Sequence, residues 1–238
     1  MTACIVLLIC GAIALAAFLR EKLRGPSLRA ALAKATVSAL FVALGCCGAY
    51  RAAARTGAMP LLAVFIIPGL VFGLMGDIWL DLKFVYRGDD ATLTYAGFAV
   101  FGVGHMLYQL GLLLQFFERG RGLWLLLPVA GALALTAGNA LLEKPMKLRY
   151  GAMKPVVIVY GFLLFLTVLL SGTLALLRGW RARALNLFFI GSVLFALSDL
   201  VLSGTYFGVG HDRPADILAN YLTYYPAQFL IALSLAFL

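Results

Sequence analysis

Charged side chains are scarce in this sequence. Lys and Arg number 19 and Asp and Glu number 10 among 238 residues, so 12% of the chain is charged and 63% is hydrophobic. Soluble domains carry about 25% charged residues because they must cover a core with polar surface. This composition excludes a soluble globular protein. The basic residues separate apolar runs and form no stripe or arm, so the net charge of +9 does not indicate a nucleic-acid partner.

Motifs for metal or redox chemistry are also missing. The four cysteines lie inside apolar runs and none has CxxC spacing, so we interpret them as small buried apolar residues. The two histidines, His105 and His211, lie far apart in the sequence. This separation argues against a His-rich zinc site of the kind found in a membrane amidase.

Long apolar runs are what the sequence has in abundance. Eight of them can cross a hydrocarbon core of about 30 Å as helices at about 1.5 Å per residue, and a lipid-exposed backbone must be helical. Basic residues follow the first run and none precedes it, so we interpret this run as a true span, not as a signal peptide. The connections are short, which predicts one all-α polytopic transmembrane domain over residues 1–238, a single bundle of eight helices. The predicted spans are 3–19, 30–50, 59–81, 92–117, 123–142, 155–177, 184–203 and 217–238.

The basic residues of the connections predict the orientation of this bundle. Eleven lie on the side of the connection 20–29, and seven lie on the opposite side. The positive-inside rule places the first side in the cytoplasm and both termini outside. We therefore expect an integral, multi-pass protein of a bacterial cytoplasmic membrane or of a eukaryotic endomembrane.

Three full charges lie within the predicted spans: Lys34, Asp77 and Asp199, with Asp81 at the edge of the third span. An ionisable side chain in the hydrocarbon costs about 2.5–3.5 kcal/mol on insertion scales. Successive spans run in opposite directions, so all three charges lie near the same leaflet whichever way the protein is oriented. Four further polar side chains belong to this level: Asn139, Tyr160, Tyr221 and Tyr224.

Two interpretations of this polar level are open. Each charge reaches the near interface, or Lys34 neutralises one aspartate as a structural pair. Alternatively, because aspartate is too short to reach far, two aspartates at one level indicate a shared water-filled pocket inside the bundle. The second interpretation is favoured, and Lys34 would suit a lipid phosphate in such a pocket.

More polar residues lie deeper in the membrane. His105 and Tyr108 form a pair on the fourth span, and Gln228 continues a polar stripe along the eighth. A hydrogen-bonded structural role is the simpler interpretation of His105, and the tyrosines of the eighth span fit an interfacial aromatic belt equally well. Gln228 lies about 16 Å into its helix, so its amide needs partners from the bundle or from a ligand.

Two carboxylates in a low-dielectric pocket are suited to acid–base chemistry. One can donate a proton while an ionised partner stabilises a cation or activates water, as glycosidases do with acetal-like bonds. The pocket therefore predicts a lipid-sized substrate with an anionic head and an acid-labile bond.

Four motifs, in order along the chain, resemble the signature of the YhhN family of membrane proteins. The resemblance extends from Lys34 to the C-terminus. In the family pattern the lysine of the second span is followed by proline, whereas here Lys34 precedes Ala35. The motifs are Gly76-Asp77, Phe101-x-x-Gly104-His105-x-x-Tyr108, Gly191-x-x-x-Phe195-Ala196-x-Ser198-Asp199 and Thr223-Tyr224-Tyr225-x-Ala227-Gln228-x-Leu230-Ile231.

The characterised animal members of that family are lysoplasmalogenases, so the resemblance implies hydrolysis of the vinyl ether of a lysoplasmalogen. Asp77 and Asp199 are then the expected catalytic acid and base, and no metal or organic cofactor is needed. The expected partner is a lysophospholipid in the bilayer. The expected substrate-binding residues are Lys34, His105, Tyr108, Asn139, Tyr160, Tyr221, Tyr224 and Gln228.

Two functions from other classes use similar residues. A lipid transporter or lipid-binding protein would also place charges in the membrane, but the two halves of the chain show no convincing repeat. An intramembrane aspartyl protease also uses two aspartates, but its Tyr-Asp and Gly-x-Gly-Asp contexts are missing around Asp77 and Asp199.

Overall fold

The chain folds into eight α-helices. The computed structural model describes residues 1–86, 88–117, 120, 122–208 and 213–238, and within them it contains helices and no strand. This confirms the predicted all-α class and the number of helices. Their bounds are α1 Thr2–Arg24, α2 Leu28–Thr56, α3 Leu61–Leu82, α4 Asp90–Phe117, α5 Leu126–Leu141, α6 Lys154–Leu177, α7 Arg183–Phe207 and α8 Pro214–Ser234. Short 3₁₀ helices span Gly122–Leu125, Gly151–Met153 and Leu235–Phe237.

The outer face of this bundle is apolar. Within the described residues, seven helical segments are long and apolar enough to cross a membrane: α1 to α4, α5 and α6 each together with the 3₁₀ helix before it, and α7. Large apolar side chains on them point outward; Ile13 of α1 and Leu126 of α5 are 67% and 70% exposed. A water-soluble surface does not carry so continuous an apolar face, whereas a bilayer contacts it without cost. Cys10 and Cys46 are exposed on the same face, so the expectation that all four cysteines are buried is wrong for these two.

Helix α8 is less apolar than its neighbours, and this has a physical reason. Its polar side chains face the interior of the bundle, where Asn220, Tyr224 and Gln228 are all buried. The helix packs most extensively against α7 and also against α2. Burial between helices, more than contact with lipid, therefore accounts for its position.

Glycines allow two pairs of helices to approach closely. A Cβ added at Gly69 of α3 would lie 2.3 Å from the ring of Tyr108 on α4. A Cβ at Gly191 of α7 would lie 2.9 Å from the carbonyl oxygen of Ala227 on α8. Because Ala227 contributes a backbone atom there, the contact cannot be relieved by a change of rotamer, and α7 and α8 would have to separate.

The α7–α8 contact leads to a test of stability. Gly191→Ala should lower the free energy of unfolding by about 1–3 kcal/mol through overpacking. Gly138→Ala is the matched control, because no atom lies within 4 Å of its added Cβ and alanine favours a helix over glycine. Thermal unfolding in detergent checks both variants. A Gly191→Ala protein with the same melting temperature as the parent would contradict the close approach of α7 and α8.

Candidate functional site

The polar residues of the predicted level converge at one end of the bundle. Lys34 lies early in α2, Asp77 and Asp81 lie near the end of α3, and Asp199 lies two turns before the end of α7. A central cavity of about 30 Å³ forms where these helices meet. Among its lining residues are Lys34, Asp77, Tyr160, Asp199, Tyr221 and Tyr224. Six of the ten predicted site residues therefore surround one space.

Asn139 lies next to this space. It lines a side cavity of about 40 Å³ between α5, α6 and α7. Tyr160, Asp199 and Tyr206 line both the side cavity and the central cavity. The side cavity and the central cavity therefore meet at Asp199, and Asn139 lines only the side cavity.

Asp77 is a buried carboxylate with many donors. It is 2% exposed, and its Oδ1 lies 3.2 Å from Nζ of Lys34. Its Oδ2 accepts hydrogen bonds from the hydroxyls of Ser38, at 2.6 Å, and Tyr224, at 2.7 Å. A cation and two hydroxyl donors compensate a buried negative charge. These three donors favour the ionised form of Asp77.

Lys34 belongs to a longer chain of charges. Its Nζ also lies 3.7 Å from Oδ1 of Asp81, and the same oxygen accepts a hydrogen bond of 2.7 Å from Lys22. Lys34 is 4% exposed, so its side chain lies inside the bundle and not at its surface. The geometry therefore supports the structural-pair interpretation of Lys34, and the lysine bridges both aspartates of α3.

Lys22 also belongs to this chain of charges, and its place in the sequence does not mark it as a site residue. It lies in the last turn of α1, close to the loop, where a lysine usually indicates topology. The direction of the helices could have identified Lys22, because α1 ends on the side of the membrane where α2 begins, and Lys22 therefore lies near Lys34.

Asp199 has a different environment from Asp77. It is only partly buried, and it faces both cavities. The hydroxyl of Tyr160 donates a hydrogen bond to its Oδ2. Among the residues that the structure describes, no cation forms an ion pair with it. The two aspartates thus share a cavity but differ in charge compensation.

Tyrosines and a serine complete the walls of the central cavity. Tyr221 is buried, and Lys34 Nζ lies 5.4 Å from the centroid of its ring, within the range of a cation–π contact. This position does not fit an interfacial aromatic belt. Asn220 donates to the backbone oxygen of Ser198 at 3.0 Å and to its hydroxyl at 2.9 Å, which ties α8 to α7 beside Asp199. Neither Ser38 nor Asn220 was identified from the sequence.

His105, Tyr108 and Gln228 lie beyond the central cavity. They surround an inner cavity of about 10 Å³ together with Gly69 and Gly73. His105 Nδ1 lies 3.1 Å from the hydroxyl of Thr167, and Gln228 Nε2 donates to the hydroxyl of Tyr224 at 3.1 Å. Gln228 therefore reaches Asp77 through one intervening tyrosine. His211 lies outside the described residues.

The model of the YhhN family matches residues 29–235. This range runs from the start of α2 to the 3₁₀ helix that follows α8, so it contains every predicted site residue, whereas Lys22 precedes it. No curated protein and no solved structure matches the chain.

The Lys34–Asp77 pair predicts a specific pattern of stability. Lys34→Met leaves the buried Asp77 charge without its cation, so the free energy of unfolding should fall by about 3–5 kcal/mol. Lys34→Met combined with Asp77→Asn should recover part of this loss, because no unpaired charge remains. Chemical unfolding in detergent measures the three proteins.

The exposed pair of Lys154 with Glu143, at 2.6 Å, supplies the control. Lys154→Met breaks an ion pair that water already screens, so its effect should be small. If Lys34→Met unfolds like Lys154→Met, the buried charge chain does not stabilise the fold.

Proposed function

Because the chain belongs to the YhhN family, we propose that it is a lysoplasmalogenase. It hydrolyses the vinyl ether of an alkenyl lysophospholipid to a fatty aldehyde and glycerophosphoethanolamine or glycerophosphocholine. The observation that carries the proposal is the pair of aspartates with different charge compensation in one membrane-level cavity. Vinyl ether hydrolysis needs both a proton donor and a negative charge.

The environments of the two aspartates suggest their roles. Lys34, Ser38 and Tyr224 favour the ionised form of Asp77, so it is the stable negative charge of the site. Asp199 faces the cavities and has Tyr160 as its hydrogen-bond donor. One oxygen of Asp199 can carry a proton while the other accepts from Tyr160. We assign Asp199 as the acid and Asp77 as the carboxylate that stabilises the cation.

The reaction then proceeds in three proton transfers. Asp199 gives its proton to the β-carbon of the vinyl ether, which becomes an oxocarbenium ion beside the Asp77 charge. A water molecule adds to this ion and returns one proton to Asp199, whose carboxylate is stabilised by the Tyr160 hydroxyl. In the resulting hemiacetal the hydroxyl loses its proton, the glycerol oxygen gains one, and the bond from the carbon to the glycerol oxygen breaks, which gives the aldehyde and the glycerol hydroxyl. One water is consumed, and Asp199 ends as it began.

Recognition of the anionic head group requires a cation that is not already paired. Lys34 is engaged by two carboxylates, so Lys83 at the end of α3 is the better candidate. Its Nζ lies 3.2 Å from the ring centroid of Tyr206, and Tyr206 lines both cavities. Among the described residues, no carboxylate forms an ion pair with Lys83. A phosphate bound there would place the glycerol portion near Asp199.

The proposed orientation in the membrane is based on the connections at the Lys83 end of the molecule. Eleven of the connecting Lys and Arg residues lie on the side of Lys83. By the positive-inside rule we propose that this side faces the cytoplasm and that the head group is bound from there.

Substitution of the two aspartates tests the proposed catalysis. Asp77→Asn and Asp199→Asn should each reduce aldehyde release from lysoplasmalogen by at least about 10²-fold, because asparagine neither donates a carboxyl proton nor carries charge. Glu143→Gln is the control and should retain the parent rate. The assay compares monodisperse protein preparations in matched detergent micelles.

A substrate panel in the same assay separates the proposal from its alternatives. The parent protein should leave ester and alkyl ether analogues intact, since neither forms a carbon-protonated oxocarbenium ion. No aldehyde from any lipid, together with lipid movement across a vesicle membrane, would instead identify a transporter. Asp→Asn variants that fold and keep parental rates would remove both residues from the mechanism.

The proposed role of Lys83 predicts a pH dependence. Burial, together with the nearby positive charges of Lys34 and Lys22, lowers the pKa of Lys83 to about 8, while Asp90 and Asp81 oppose the shift. Below that pKa the ammonium is charged and binds phosphate; above it the charge is lost. KM for lysoplasmalogen should therefore rise from pH 7 to pH 9 in the parent.

Two variants check this dependence. Lys83→Arg keeps its charge over the whole range, so its KM should stay flat with pH. Lys83→Met should show a raised and equally flat KM, with kcat little changed. A Lys83→Arg profile that follows the parent would assign the dependence to another group.

A further inference from the structure

An apolar groove runs between α4 and α6, on the outside of the central cavity. Its volume is about 450 Å³, within the range of about 300–1,000 Å³ that is typical of ligand sites. Of the described residues that line it, all except Tyr160 have apolar side chains or are glycine. Six of them line its length: Ala99, Gly102, Val103, Met106, Val159 and Leu163.

Two aromatic residues join this groove to the site. Phe98 and Tyr160 line both the groove and the central cavity, and their ring centroids lie 5.2 Å apart. Tyr160 also donates a hydrogen bond to Asp199. The groove therefore begins at the residue that positions the proposed acid.

We propose that the groove binds the alkenyl chain of the lysophospholipid substrate. This inference rests on the proposed function. In a vinyl ether lipid the bond that breaks joins the glycerol portion to the first carbon of the hydrocarbon chain. When this bond lies at Asp199, the hydrocarbon chain extends past Tyr160. The apolar groove is the path that continues from there. From Phe98 to Met106 it follows α4 for about 12 Å toward the middle of the membrane.

Gly102 keeps this path open. A Cβ at Gly102 would meet one atom, Cδ1 of Leu163 at 3.5 Å, so helix packing does not require a glycine there. A larger side chain would instead extend into the groove. Met106 lies one helical turn farther from Tyr160 on the same face, so the two positions block the path at different depths.

Chain-length kinetics in lipid nanodiscs test the proposal. Gly102→Phe should raise KM at least about tenfold for a long alkenyl chain, the effect of losing burial of about two methylenes, and leave a short chain within about twofold. Met106→Trp should affect only the longest chains. Gly138→Phe, on a half-buried position of α5 with no atom within 4 Å of its added Cβ, should leave the whole series unchanged. Equal changes in KM for all chain lengths in Gly102→Phe would overturn the assignment of the groove to the alkenyl chain.

Binding of uncleavable lipids separates this inference from the proposed function. If the parent releases no aldehyde from any lipid, the proposed function fails. The affinity of alkyl ether lysophosphocholines of graded chain length then tests binding in the groove independently of catalysis. Gly102→Phe should weaken the long analogue at least about tenfold and spare the short one; equal affinities in variant and parent would overturn the assignment.

A different observation identifies a second site, in the inner cavity. His105 Nε2, Tyr108 OH and Gln228 Oε1 are buried and have no partner among the described protein atoms. All three residues line the same space of about 10 Å³. A water molecule needs about 10–15 Å³ of such volume and two to four polar partners. We infer that one water molecule bridges these three side chains.

This water would extend the hydrogen bonds of the site. Gln228 donates to Tyr224, which donates to Asp77, so the water connects His105 to the Asp77 carboxylate. A high-resolution structure should show density within hydrogen-bond distance of all three atoms, and Tyr108→Phe should weaken it. The melting temperature of Tyr108→Phe combined with Gln228→Met should fall by less than the sum of the single shifts, whereas Tyr108→Phe with Thr136→Val should be additive. Absence of density in the parent, or additive shifts in both pairs, would overturn the water site.

Discussion

Electrostatic compensation inside a low-dielectric bundle is the constraint on which the site depends. Lys34 Nζ lies between Asp77 and Asp81, and Lys22 reaches Asp81 from α1. An isolated charge at this depth would be expelled or neutralised. The pairing holds α1, α2 and α3 together at one end, and it compensates a negative charge on Asp77. The neighbouring Asp199 is not part of this chain of charges, and in the proposed mechanism it is the residue that exchanges a proton.

Hydrogen bonds extend this arrangement to the other helices. Tyr224 brings α8 to Asp77, Tyr160 brings α6 to Asp199, and Asn220 connects α8 to α7. The first bond joins helices that are far apart in the sequence, whereas the other two join consecutive helices. Aromatic rings fill the space between them: Phe101 and Phe195 contact each other, and each also contacts Tyr224. Hydroxyl, amide and aromatic side chains, with few full charges, therefore connect the helices around the site.

The sequence predicts the helices and the level of the site well, because both depend on local patterns. Apolar runs indicate spans, and alternating direction places Asp77 and Asp199 at one leaflet. Pairing of particular atoms depends on helix rotation and tilt, which hydropathy does not encode. In the sequence Lys22 therefore counts only as a topology signal, and the expected substrate-binding residues include His105 and Gln228, which the structure places around a separate inner cavity. The low apolarity of α8 is a local feature whose meaning emerges only when its neighbours are known.

The position of α8 after the other seven helices has a consequence for synthesis. Tyr221 and Tyr224, which line the central cavity, are made after Lys34, Asp77 and Asp199. Among the described helices, α8 is the one that is not apolar enough by itself to cross a membrane, so its place depends on its contacts with α7 and α2. Until α8 packs there, Asp77 lacks the hydroxyl of Tyr224 as a hydrogen-bond donor. A chain that stops before α8 would therefore bury the charges of α2 and α3 without this donor.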